Sequence, residues 1–429
     1  MNNTRRDFLK TSAVATAGLM VSGHFAWANV AETLKVGLIG CGGRGTGAAR
    51  DCVTGADGIT IWAMGDLFED RLDASFAQLK QHIGDKLQVT ESRKFTGFDA
   101  YQKVLATGVD VVILAAPPGF RPAHFEAAVN AGKHIFMEKP VAVDPTGIRK
   151  ILAAAEVSVQ KKLCVVAGTQ RRHDPKYVEA IQRIHNGAIG EVVTGQVYWN
   201  QGGLWKYDRK PGMSDMEWQI RNWLYFTWTS GDHIVEQHIH NIDVANWVMK
   251  GHPVKAVGMG GRQVRVDPAY GHIFDHFAIE FEYANGTKIL SMCRQQDGTE
   301  SNVSEFFYGT KGTSNAKDSI RGEQPWRYKG TGPDVNPYVN EHTNLIKAIR
   351  NGNLLNEAKQ VAESNLTAIM GREAAYTGAL ITWDDILQAN QDLTPAQMVF
   401  GDLPVAPVPH PGITKINRPA YGHFFETKP

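Results

Sequence analysis

HIVEQHIHNID, residues 233–243 of this 429-residue chain, sets three histidines and two carboxylates into eleven positions. Read as a helix, Val235, Ile239 and Ile242 form an apolar stripe. Glu236 and His240, four apart, share the adjacent face, Asp243 joins them three positions on, and His238 points the other way. A metal would need Glu236, His240 and a strained His233 to converge. The spacing is not H-E-x-x-H and no cysteine cluster supports it, so no metal is expected. Two readings stay open on these residues alone. One is a proton-handling site, in which a carboxylate fixes the tautomer of an imidazole and raises its basicity. The other is a polar helix face whose hydrogen bonds are all satisfied.

A second chemical stretch lies near the start. LKVGLIGCGGRGTGAAR, residues 34–50, places G-x-G-x-x-G between a short apolar run and an Ala-rich helix start. Gly40 permits the tight turn, Gly42 lets backbone approach a pyrophosphate, and Gly45 lets helix and strand close on each other. Gly43 and Arg44 complete the turn, and the helix start offers free N–H groups to phosphates. ITIWAMGD, residues 59–66, ends in Asp66, a carboxylate placed to accept both ribose hydroxyls of NAD and to repel the extra phosphate of NADP. Arg71 is close enough to leave NADP open. A third stretch, KHIFMEKP, ends in Glu138-Lys139-Pro140. A lysine at a strand end can exchange protons or polarise a carbonyl when a neighbouring positive charge eases its deprotonation.

The elements that must position these residues alternate. VDVVILAAPP (109–118) reads as a buried strand, a helix with His124 follows, and then the strand before Glu138. Such alternation over roughly 120 residues predicts an α/β fold with a parallel, doubly wound sheet. Ligands bind at the carboxyl ends of its strands, where Pro117, Glu138 and Lys139 fall.

GLIGCGGRG, AAPPGFRPAHFEAAVNAGKHIFMEKPVA and the downstream H-x-x-D together resemble the glucose–fructose oxidoreductase and inositol dehydrogenase family over about residues 34–385. The resemblance implies that Lys139 lies beside the nicotinamide and the reacting hydroxyl, with its bond to Pro140 often cis. It implies that His240 is the general acid/base, that Glu236 stands where the family has an aspartate and orients His240 or binds substrate, and that Asp243 positions the helix or His240. An arginine near Arg172 contacts cofactor or substrate in that family. The second half fits the family's C-terminal α+β domain: strand patterns VKAVGMGGRQV, HIFDHFAIEFEY, TKILSMCRQ and SEFFYGTKGT imply an open, mostly antiparallel sheet. A sheet with one face left to bury argues for a homo-oligomer, dimer or tetramer.

Residues 198–233 hold five of the ten tryptophans, mixed with Arg, Asn and Gln. This reads as an insertion roofing the active site. Trp199, Trp205 and Arg221 are its candidates for sugar contact, with Arg172, His238 and Asp243 as further substrate contacts. Residues 404–429 hold six prolines and read as an extended arm.

At the N-terminus TRRDFLK, a short apolar run and Ala26-Trp27-Ala28 read as a twin-arginine export signal. The expected layout is a signal at 1–28, an NAD-binding domain at 29–160, a substrate and oligomerisation domain at 161–400, and the arm at 401–429. Formal charge is +1 with no basic stripe, so nucleic acid is not an expected partner, and no apolar run beyond the signal is long enough for a membrane helix. Four scattered cysteines make no C-x-x-C pair. These features predict a periplasmic NAD-dependent oxidoreductase acting on a secondary hydroxyl or carbonyl of a sugar or glycoside. Outside the cytoplasm free NAD is not dependable, so the nucleotide should stay bound and be recycled in place, covered by the Trp-rich segment or the C-terminal arm. The alternatives are a glycosidase that works by transient oxidation and elimination, and a sugar-binding or sensory protein with a vestigial cofactor site.

Overall fold

In the computed structural model, residues 33–330 and 335–416 are described. The signal at 1–28 and the end of the proline-rich arm lie outside them. The first half alternates as expected: β1 (Leu34–Ile39), α1 (Gly43–Gly55), β2 (Ile59–Asp66), α2 (Glu69–Ile83), β3 (Lys94–Thr96), α3 (Ala100–Leu105), β4 (Val111–Leu114), α4 (Arg121–Asn130), β5 (His134–Met137), α5 (Pro145–Gln160) and β6 (Val165–Ala167). The six strands pair in parallel in the order β3-β2-β1-β4-β5-β6. The order reverses between β1 and β4, and that switch opens a crevice at the strands' carboxyl ends. The strands are short apolar runs because helices cover both faces, and all four residues of β4 are buried. The sheet takes in β6, so it runs past residue 160.

The chain continues through α6 (Pro175–His185), β7 (Val192–Gln201), α7 (Asp215–Arg221), α8 (Thr227–Ser230), α9 (His233–Glu236) and α10 (Ile239–Met249). Next come β8 (Lys255–Gly261), β9 (His276–Glu282), β10 (Lys288–Gln295), β11 (Asn302–Gly309), β12 (Gly312–Ser314), β13 (Ser319–Gly322) and β14 (Trp326–Arg327). The last elements are α11 (Pro337–Asn351), α12 (Ala358–Thr377), β15 (Ile381–Thr382) and α13 (Trp383–Gln388). The second sheet has the order β14-β13-β12-β11-β7-β10-β9-β8-β15. Only β7 and β10 run parallel; its other pairs are antiparallel. Period-2 alternation gives it a buried face, with Val197, Ile289 and Phe307, and an outward face with Leu290, Met292 and Phe306 exposed.

The two halves are tied together. The helix α11 returns to cover the first sheet, putting Leu345 and Ile346 in one core with Val36, Ala48 and Val53. Buried almost throughout, α12 lies against α5, α10 and β8. Its buried polar residues are paired: Asn365 accepts from the Val141 and Ala142 N–H groups, and Arg372 donates to Glu373 and to the Val143 carbonyl.

Candidate active site

The glycine-rich turn forms the floor of a cavity of about 590 Å³, within the range of small-molecule and cofactor sites. Gly40 has φ +95°, and a Cβ there would meet the Ala116 nitrogen at 2.2 Å. A Cβ on Gly45 would meet the Gly40 carbonyl at 1.9 Å, so both positions need glycine for close approach. Gly42 and Gly43 differ. A Cβ on Gly42 would meet only Arg71, at 3.7 Å, and one on Gly43 would meet nothing within 4 Å, so both face open space. No side chain caps the start of α1, and its first N–H groups are left for a ligand in that space. The residues present therefore fit a dinucleotide. Asp66 lines the cavity at the end of β2 and accepts from the Cys41 N–H (2.6 Å) and the Phe68 N–H (2.9 Å). Burial raises its pKa, against the pull of those two bonds.

Arg44 also lines the cavity, with its guanidinium turned to carboxylates: Glu138 at 2.5 Å, Glu341 at 3.0 Å and Asp51 at 3.4 Å. Burial works against its charge, but these three carboxylates outweigh it and hold Arg44 above its ordinary range. Glu138 thereby anchors the strand end that carries Lys139. The Lys139–Pro140 bond is cis.

The histidine-rich stretch is not the single helix its spacing predicts. It breaks at Gln237 between α9 and α10, where His240 N–H bonds the Gln237 carbonyl rather than that of Glu236. The Glu236 carbonyl is released, and Lys139 Nζ donates to it at 2.7 Å and to the Glu236 carboxylate at 3.1 Å. Glu236 is thus the partner of Lys139, not of His240: the break turns its side chain out of the i, i+4 relation. Lys139, Glu236 and His240 all line the cavity. The His240 ring stacks on Trp199, with centroids 5.6 Å apart, and its Nδ1 has no hydrogen-bond partner among the described residues. Burial, then the positive charges of Lys139, Arg171 and Arg44, hold His240 well below the usual imidazole range, so it is neutral.

Several expected contacts fall elsewhere. Arg172 does not face the cavity. Its Nε and Nη2 donate to Asp243 at 2.8 and 3.0 Å, and Asp243 also accepts from Gln360 and Ser364. Asp243 lies one turn beyond His240, so it packs toward α12. His238 is fully buried and shares a hydrogen bond with Ser291 at 2.7 Å. Arg221 binds Asp70 in a bidentate pair (3.0 and 3.2 Å) and Glu217 at 3.0 Å. Trp199 backs His240 instead of lining the cavity, whereas Trp205 does line it, as do Gly42, Gly43 and Pro117.

Tyr101, Arg121, His124, Gln170 and Tyr338 also line the cavity. Arg121 is 1% exposed, donates to the Leu114 carbonyl, and burial lowers its pKa to about 10. Its charge sits under the end of β4. Nothing in composition marks a buried arginine, because arginines are mostly exposed. Tyr338 comes from α11, distant in sequence, and only the helix's return to the first sheet brings it there.

A parallel sheet with a glycine cradle at its switch point, facing a Lys–Glu–His cluster, defines a nucleotide-dependent oxidoreductase. Residues 34–167 match the oxidoreductase family with an NAD-binding Rossmann fold, and residues 177–315 match the GFO/IDH/MocA C-terminal domain. The chain belongs to the GFO/IDH/MocA oxidoreductase family, and its first sheet is an NAD-binding domain. Residues 2–22 match the signal sequence of the twin-arginine translocation pathway. Among curated relatives, inositol 2-dehydrogenase 1 of Saccharopolyspora erythraea is 32% identical over 161 residues, 38% of this chain and 44% of that protein. The chain thus spans less than half of that relative's length. Among solved structures, scyllo-inositol dehydrogenase from Lactobacillus casei, with bound NAD(H) and scyllo-inositol, is similar with TM-score 0.62 and 22% identity, covering 82% of this chain and 99% of that one. Aldose-aldose oxidoreductase from Caulobacter crescentus, complexed with glycerol, gives TM-score 0.64 and 17% identity, covering 82% and 100%.

Proposed function

We propose that this chain is an exported, NAD-dependent oxidoreductase of a secondary hydroxyl on a sugar or polyol. The observation that carries the reading is the convergence of Lys139, Glu236 and His240 on the cavity whose floor is the glycine cradle. What NAD supplies when bound is a hydride acceptor for the carbon that bears the hydroxyl. Neutral His240 offers its ring as acceptor for the hydroxyl proton. Lys139, gripped by the carbonyl and carboxylate of Glu236, is held to bond the reacting oxygen and polarise it as a carbonyl forms. Trp205, Tyr207 and Trp223 on the far wall supply aromatic faces for a ring's apolar side. The polyols named with the relatives, inositols and glycerol, fit this chemistry.

Cofactor choice is NAD over NADP because Asp66 occupies the ribose end. The nucleotide remains bound through the cycle, since an exported protein has no dependable free pool. The exposed Met259, Leu290, Met292 and Phe306 on the outward face of the second sheet support a homo-oligomer joined through that face. The export signal supports a periplasmic location. The test is to denature the purified mature protein and identify the released nucleotide by mass. The native enzyme is then screened with a polyol and sugar panel for absorbance of the reduced nicotinamide. NAD(H) near stoichiometry, with a polyol-dependent change, is expected. A protein that neither carries nor binds NAD(H) overturns the reading.

A further inference from the structure

We propose that the adenosine half of the nucleotide site is closed by a clasp, formed by α7 and the C-terminal arm, that sets the rate at which nucleotide leaves. The proposal rests on the NAD reading above and assigns which residues retain the cofactor. Asp66 marks the ribose of the adenosine half, so the wall just beyond it, Phe68 and Phe98, borders the adenine. Both clasp segments meet on that wall. Phe400, immediately before the arm, stacks on Phe68 with centroids 5.9 Å apart and 19° between planes, and lies 5.2 Å from Phe98. The α7 residue Arg221 lies over the Phe68 ring, 3.8 Å from its centroid, while bonding Asp70 at 3.0 and 3.2 Å. Arg71, a cavity-lining residue, donates to the Arg221 carbonyl at 3.3 Å.

The two segments are also zipped to each other. The Met216 N–H donates to the Gly401 carbonyl (3.2 Å), the Leu403 N–H to the Asp215 carboxylate (3.1 Å), and Gln219 Nε2 to the Leu403 carbonyl (2.5 Å). Farther back the segment leading into the arm is moored to the first domain, where the Leu393 N–H donates to Asp144 at 2.8 Å. Phe68 consequently shares a small core with Met216, Trp218 and Ile220, separate from the cores of the two sheets. The contacts at its outer edge are shallow. Phe400 is 47% exposed and the Asp70 side chain 65%, so these contacts can part without disturbing either sheet. A dinucleotide lying along the cradle would have its adenosine end behind this core, and leaving in that direction requires the core to open.

The experiment measures release of NAD from the full mature chain, loaded with labelled nucleotide and diluted into an excess of unlabelled NAD. Phe400→Ala should speed release roughly tenfold, Asp70→Asn about fivefold, and the double variant about fiftyfold. Salt should speed release from the wild type and from Phe400→Ala by screening the Arg221–Asp70 pair, but should not speed it from Asp70→Asn. Met259→Ala, on the second sheet, should release at the wild-type rate. Release unchanged in both single variants and the double variant overturns the clasp while leaving NAD dependence intact. Failure of the wild type to bind NAD at all overturns both.

Discussion

His240 and Asp243 stand one turn apart at the start of α10, both buried and both polar, and their surroundings differ in one respect. Asp243 is saturated: it receives two bonds from Arg172, one from Gln360 and one from Ser364. His240 lines the cavity with a ring nitrogen that no protein group meets. A buried polar group left without a partner costs on the order of 1–3 kcal/mol. Among the described residues His238 and His342 have unpartnered ring nitrogens as well, away from the cavity, so it is the place on the cavity wall that marks His240. Free hydrogen-bonding capacity together with a place on the cavity wall separates residues kept for binding from residues kept for architecture more sharply than residue type does, since both are the types from which active sites are made.

The comparison is broken most directly at His240. His240→Ala should lower turnover by about 10²–10⁴-fold, as loss of a positioned proton acceptor does, with melting temperature and bound NAD retained. Because His240 is held well below the usual imidazole range, the kcat/KM profile should show no His240 limb near pH 6.5; the base stays neutral as pH falls through that point. A profile that loses activity with an apparent pKa near 6.5, and loses that limb in His240→Ala, would put the ring in a more polar setting than this one.

At Asp243 the expected loss is of stability. Asp243→Ala leaves the Arg172 guanidinium, whose side chain is 14% exposed, with no carboxylate, and should cost about 3–5 kcal/mol. Chemical denaturation with activity measured on the remaining folded fraction checks this. Near-normal turnover per folded molecule is the expected result. A loss of turnover with unchanged stability would move Asp243 into the reaction.

How far the residues could be read in advance follows from the same distinction. The first sheet was legible because its glycine turn, the apolar runs and Asp66 are local signals, each tied to a backbone or packing requirement. The resemblance points to Lys139 and His240, and both line the cavity. What failed was direction. A helical wheel assigned Glu236 and His240 to one face, but the backbone breaks at Gln237, and the freed carbonyl of Glu236 draws Lys139 instead. The resemblance places Arg172 with cofactor or substrate, and Arg221 is a substrate candidate because arginines read hydroxyls, yet each pairs with a carboxylate, Asp243 and Asp70, from a distant part of the chain. Such pairings are set by tertiary packing, and no window of sequence contains both members. The same holds for Phe400, at the last position of the expected substrate domain, for which no local signal announces a contact with Phe68.

Asp66 falls between the two classes, and it sharpens the comparison with the smallest effect. Its carboxylate lines the cavity, like His240, yet already accepts the Cys41 and Phe68 N–H groups, like a structural residue. Each carboxylate oxygen can accept more than one bond, so two backbone donors leave capacity for a ribose diol. If that capacity is used, Asp66→Ala loses the ribose bonds and the charge that repels a 2′-phosphate, with Arg71 still close to Gly42 to receive one. The NAD-to-NADP preference in kcat/KM should then narrow by roughly tenfold. Stability should fall as well, by about 1–3 kcal/mol, because the Cys41 and Phe68 amides lose their acceptor. Asp66→Asn separates the two effects, since its carboxamide oxygen can keep one amide bond while its charge is gone. Preference should narrow in both variants and stability fall mainly in Asp66→Ala. If stability falls and the preference does not move, Asp66 belongs with Asp243, and the choice of nucleotide is made by other groups in the cavity.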